Sequence, residues 1–170
     1  MNLHLWNHEQ TGAMSCEQKF CMKVIRHGRL IVMDEFMIPS ASGEGGLLFY
    51  GRLPTDKTQP IQSFWLRVTD HNLSATGQVY AGYCSSHPVP LFEEMARQWS
   101  GWPGKLSWAS LEGELEIYGS QDRLGHITIR IELCSSTLSD NWMVAATVMA
   151  EAGQLEDIAR RAALFFGRAS

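Results

Sequence analysis

The sequence predicts an α+β protein: a curved, mainly antiparallel sheet with two helices, the C-terminal one packed across the sheet's apolar face. Three observations lead to this class. Two segments of the second half alternate strictly between apolar and polar residues, the pattern of an antiparallel sheet with one buried face. Two others place apolar residues at helical spacing. No period of roughly 20–50 residues repeats, which excludes solenoids and propellers.

The chain has 170 residues, 45% of them hydrophobic and 19% charged, a size and composition suited to one globular domain spanning residues 1–170. Its first 60 residues are strand-rich. "FCMKVIR" (Phe20 to Arg26), "RLIVMDEFM" (Arg29 to Met37) and "GLLFYGRL" (Gly46 to Leu53) are expected strands. The two-residue link His27-Gly28 predicts a hairpin between the first two. "IPSASGEGG" and "PTDKTQP" are loops by composition. "IQSFWLRVTD" (61–70) and "GQVYAGYC" (77–84) continue the strands.

Prolines open the first helix, "HPVPLFEEMARQWSGW". Leu91, Phe92, Met95, Ala96 and Trp99 define its apolar face, and Glu93 and Glu94 suit its positive end. Three strands follow. "LEGELEIYG" (111–119) places Leu111, Gly113, Leu115 and Ile117 inward and Glu112, Glu114, Glu116 and Tyr118 outward. "HITIRIELC" (126–134) buries Ile127, Ile129, Ile131 and Leu133, with His126, Thr128, Arg130 and Glu132 opposite. "NWMVAATVMAE" (141–151) completes the meander after the turn "SSTLSDN". The last helix, "GQLEDIARRAALFFG", has the stripe Leu155, Ile158, Ala159, Ala162, Phe165 and Phe166, and Gly167 as its cap.

The net charge of −4 is unevenly spread. Residues 1–88 hold seven basic and seven acidic residues, and residues 89–170 seven and eleven. That balance excludes a general nucleic-acid binder, which needs clustered positive charge, and suits a basic partner. No apolar run approaches the roughly 20 residues of a membrane span, and the N-terminal "MNLHLWNHEQ" is no secretory signal. The expected location is the cytoplasm, where Cys16, Cys21, Cys84 and Cys134, which contain no CxxC pair, stay reduced. His4 and His8 have the spacing of helical metal ligands, yet no helix pattern surrounds them, so no metal is expected. "GEGG" (43–46) is not a dinucleotide fingerprint and no phosphate-binding loop occurs, so no cofactor is expected.

The chemistry-bearing residues concentrate in "SLEGELEIYGSQDRLGH" (110–126). Same-face residues of a strand lie about 6.6 Å apart, a separation compatible with a catalytic carboxylate pair. Alternating charge is equally what a solvated sheet face looks like. No serine or cysteine in a nucleophile context accompanies His126. Asp122 and Gly125 are natural turn residues. Trp99, Trp102 and Trp108 are expected to pack where the helix end meets the sheet, and any exposed one would serve as an interface anchor.

Trp99, Gly104, Trp108, Ser110, Glu112, Leu115, Asp122, Gly125 and His126 also carry a resemblance. With the helix "EAGQLEDIARRAALFF" they make residues 63–167 resemble a bacterial domain family of unknown function, and look like the WapI-type immunity proteins of polymorphic toxin systems. The resemblance implies an α+β protein that binds and blocks a cognate toxin. The expected function is non-catalytic protein binding, with Glu112, Glu114, Glu116 and Asp122 on the partner surface. The alternatives are a carboxylate-dependent hydrolase using Glu112, Glu114, Asp122 and His126, and a small-ligand binding module.

Overall fold

The computed structural model describes residues 23–26, 29–32, 34–41, 43, 45–82, 86–135 and 142–167. Expectations for His4, His8, Cys16, Cys21, Cys84, the His27-Gly28 link and residues 136–141 lie outside the described residues. The chain divides into two compact units, residues 1–32 and 33–170. In the first, β1 (Lys23–Arg26) and β2 (Arg29–Val32) pair antiparallel, with Arg26 opposite Arg29. The strand expected over 29–37 is thus two: β2 stops at Val32 and β3 starts at Glu35.

The second unit has the expected α+β class, with its strands divided between two four-stranded antiparallel sheets rather than joined in one. The first sheet is a meander of β3 (Glu35–Pro39), β4 (Gly46–Leu53), β5 (Ser63–Asp70) and β6 (Leu73–Tyr80). After α1 (Val89–Arg97) the second meander runs β7 (Leu106–Ala109), β8 (Leu115–Gln121), β9 (His126–Cys134) and β10 (Met143–Glu151). A 3-10 turn (Ala152–Gln154) leads into α2 (Leu155–Phe166). β6 begins at Leu73, four residues before the expected start, and β7 is a strand that "KLSWAS" is too short to announce.

One apolar core joins the sheets and helices. The inner faces of the sheets meet where Gly77 of β6 abuts Leu133 of β9; a Cβ there would stand 3.0 Å from the leucine's Cδ1. All six residues of the expected α2 stripe are buried. Phe166 packs edge-on against Phe49 and Phe64 with ring centroids 5.7 and 5.1 Å away, which seats α2 on the first sheet. α1 bridges both sheets: Phe92 meets Phe36 of β3 at 6.0 Å, and Met95 lies against Gly119 of β8. Trp99 lies beyond the end of α1 and is 63% exposed, against expectation. Trp102 takes the buried position instead, its indole N–H directed at the Gly119 carbonyl.

Among the described residues, Arg52 and Glu114 are buried charged groups, and each sits beside a glycine that interrupts the two-residue period. In β4 the register shifts between Tyr50 and Leu53, where Gly51 adopts φ +61°. The bulge adds a residue to one strand only, so Arg52 turns inward. It is 3% exposed and donates to the carbonyls of Pro54, Asp56, Gln59 and Phe166. Lys57, paired with Asp34 at 2.6 Å, donates to the Leu164 carbonyl. The Phe166 and Leu164 carbonyls at the end of α2 are therefore capped from the end of β4 and the loop that follows it. Arg160 and Arg161, earlier in the helix, pair with Asp157.

Candidate functional site

Gly113, at φ +77°, makes the second phase break. Ser110 to Glu114 form a tight turn: the Gly113 N–H donates to the Ser110 carbonyl and the Ser110 N–H to the Leu115 carbonyl. The strand expected over 111–119 therefore starts only at Leu115. Leu111, expected inward, is 63% exposed. Glu112 is exposed in the turn. Glu114, expected on the outer face, is 2% exposed. Its Oε2 accepts from the Ser110 hydroxyl at 2.6 Å and its Oε1 from the Tyr80 N–H at 3.3 Å, so it links the two sheets.

From Leu115 onward the alternation holds. The outer face of the second sheet is built in rows across the strands. One row runs Ala109, Glu116, Glu132, Ala145 and the next Ser107, Tyr118, Arg130, Thr147. Glu116 and Glu132 are direct cross-strand partners, and like charges so placed repel. Each is partly offset: Glu116 accepts from the Tyr118 hydroxyl, and Glu132 from Arg130 Nε and Nη2 at 3.1 and 2.9 Å. The Tyr118 phenol is pushed up, first by its hydrogen bond to Glu116 and then by burial and both glutamates. Burial foremost, then Glu132 and Glu116, push up the Cys134 thiol at the end of β9. Lys105 lies over the Tyr118 ring, 5.8 Å from its centroid.

At the other end of β8, Asp122 closes the β8–β9 hairpin. Its Oδ1 accepts the N–H groups of Leu124 and His126, and its Oδ2 meets His126 Nδ1 at 2.9 Å. His126 shares the outer face, as expected, but its partner is Asp122 rather than the glutamates. The hydrogen bond lowers Asp122 below its ordinary 3.8 and raises His126 above its ordinary 6.5. The signs set the pH range. The raised His126 stabilises the hairpin fully below 6.5 and loses that contribution as pH rises through its folded value. The lowered Asp122 contributes above 3.8 and loses its part as pH falls through its folded value. Asp122→Asn is expected to lower the His126 titration midpoint in an NMR pH series, since Asp122 is the largest cause of its rise; an unmoved midpoint would refute the pairing.

The four residues of the hydrolase alternative are not brought together. Glu112 and Glu114 precede β8, Asp122 and His126 follow it, and seven strand residues separate them by roughly 23 Å. An open recess beside the hairpin is lined by Ser100, Trp102, Pro103, Gln121, Asp122 and Gly125, among others. Gln121 reaches across it, donating through Nε2 to the Trp99 carbonyl. Of the expected partner residues, Glu112, Glu116 and Asp122 are at or near the surface and Glu114 is interior. Glu132 joins Glu116 through its place in β9, a pairing that neither strand's pattern discloses by itself.

No curated protein and no solved structure gives a match to the chain. Among the described residues, no helix is long and apolar enough to cross a membrane. A family model, described as a family of unknown function (DUF6228), matches residues 38–169, from β3 through α2 and two residues past its Gly167 cap. The match takes in both sheets of the second unit, the buried Arg52 and Glu114, and the Asp122–His126 turn, and the chain belongs to this family.

Proposed function

We propose that this chain is a non-catalytic protein-binding domain of the immunity type, which neutralises a cognate bacterial toxin by covering it, and that the outer face of the second sheet carries the contact. The observation that supports the reading is the Glu116–Glu132 pair. Two carboxylates stand directly opposite one another on neighbouring strands, flanked by Ala109 and Ala145. The alanine methyls leave the pair open from both sides. Within the fold Tyr118 and Arg130 offset the repulsion of this pair only in part, and a lysine or arginine from a partner relieves the remainder. Glu112 adds negative charge at the near end of the strand. Trp99, Leu111 and Leu124 are exposed apolar residues elsewhere on the unit, of the kind that anchor interfaces.

The test begins with the neighbouring gene. Where the product encoded immediately upstream is a toxin with a variable C-terminal domain, co-expression of this chain restores growth and the two purified proteins associate. The double variant E116K/E132K is expected to slow association about tenfold at low ionic strength and to flatten its salt dependence, with little change in the unfolding midpoint. An association rate and salt slope equal to the parent's would sink the acidic face as the contact.

A further inference from the structure

β10 is the edge strand of the second sheet. It pairs with β9 without a bulge from Met143 to Glu151 and contains no proline and no charge before Glu151. Natural edge strands are commonly blunted by such features. The direction of its backbone groups follows from two hydrogen bonds. The Trp142 carbonyl accepts from Ser135, on the β9 side, and the Met149 carbonyl accepts from Ala41, on the far side. Alternation then turns the N–H and C=O of Met143, Ala145 and Thr147 away from β9. Met143 is 66% exposed, and Ala145 and Thr147 are exposed as well. Among the described residues no strand pairs with this edge.

We propose that Met143–Thr147 accepts an extended segment of a basic partner as a fifth strand of the sheet, with a lysine or arginine in the row of Ala145. This rests on the protein-binding reading above and names its mode. Charge selects the occupant. The row through Ala145 continues to Glu132 and Glu116 and contains no cation, whereas the row through Thr147 contains Arg130. A side chain on the added strand reaches over the Ala145 methyl, across two strand spacings of about 4.8 Å each, to Glu132. Backbone pairing supplies affinity and the single basic position supplies selection, as in other cases of strand addition. A second copy of this chain is the poorer occupant: antiparallel pairing centred on Ala145 brings two Glu132 carboxylates into one row, each offset only by its own Arg130, and adds no new cation to it.

The probe is a nine-residue peptide of alternating threonine and valine with lysine at its fifth position, compared with a twin bearing glutamate there. Titrated into the full chain, the lysine peptide is expected to shift the amide signals of Met143, Ala145 and Thr147 and to slow their hydrogen exchange. The glutamate twin binds at least about fivefold more weakly. Thr147→Pro removes an N–H that makes no bond within the sheet and abolishes the protection, while the methyl signals of Val148 and Ile129 report that the core is intact. Glu132→Gln brings the two peptides to similar affinity. Equal affinity for both peptides in the parent, or shifts confined to other residues, overturns the proposal. So does concentration-dependent self-association that protects the same amides, which would make a second copy the occupant. With the toxin, a T147P variant that binds like the parent beside an impaired E116K/E132K removes the strand addition and leaves the acidic face standing. If neither variant changes binding, both fall.

Discussion

Replacing Arg52 by methionine is expected to lower the free energy of unfolding by about 3–4 kcal/mol. Methionine keeps the bulk of the stem and removes only the guanidinium. Four carbonyls depend on that group, three in the β4–β5 loop and one at the end of α2. Hydrogen bonds from a charged donor are each worth roughly 1.5–3 kcal/mol, and the sum is reduced because loop carbonyls freed from Arg52 regain water. The buried Phe166 carbonyl regains least. Urea unfolding checks the size of the effect, and Arg52→Lys separates charge from fork geometry: one ammonium cannot span four acceptors, so most of the loss remains. A loss below about 1 kcal/mol for R52M would show that the loop and the helix end hold together without it.

The second large effect is expected at Glu114. Glu114→Ala leaves the Ser110 hydroxyl and the Tyr80 N–H without their acceptor at a buried junction, at a cost of about 2–3 kcal/mol. Glu114→Gln costs less, about 1 kcal/mol, because the amide keeps one acceptor and places a donor against the other partner. The Ser110 oxygen already accepts from the Leu115 N–H, so it has limited freedom to adapt. Thermal and urea unfolding measure both variants. Under the reading proposed here, folded E114Q binds the toxin like the parent, because Glu114 faces the fold and not a partner. An E114A as stable as the parent would contradict the structural role.

Much of the fold was legible. β9 and the stripe of α2 follow from the sequence because each is long and alternates or repeats at its own period, and β4 follows from a short continuous apolar run between loops. β7 was not legible, since four residues that pair on one side only leave too short a pattern. Trp99 misled because its spacing continues the apolar face of α1 for a turn that the helix does not complete. The candidate site was half legible. Glu116 faces outward as alternation requires, while Glu112 and Glu114 were assigned by carrying the period through a turn. Arg52 escaped notice for the same reason, because a charged residue in a strand reads as outward unless a bulge has moved it. Both misplaced charges stand beside a glycine with positive φ, and neither "YGRL" nor "LEGEL" marks the glycine as anything but a strand residue. The pairing of Glu116 with Glu132 required register, which depends on the whole meander.

The turn at Ser110–Glu114 also fixes which kinds of sequence change the acidic face can survive. Exchanging one letter for another at Glu112 alters an exposed side chain, and at Leu111 an exposed side chain whose close neighbour is Gly82. Adding or removing one position is different in kind. Because side chains alternate strictly, a slip by one residue would carry Glu116 into the core and Ile117 out to water, and the two could not both be accommodated. The segment is thus permissive in spelling and strict in length, and relatives that diversify their partners are expected to vary the letters of this turn while keeping its count.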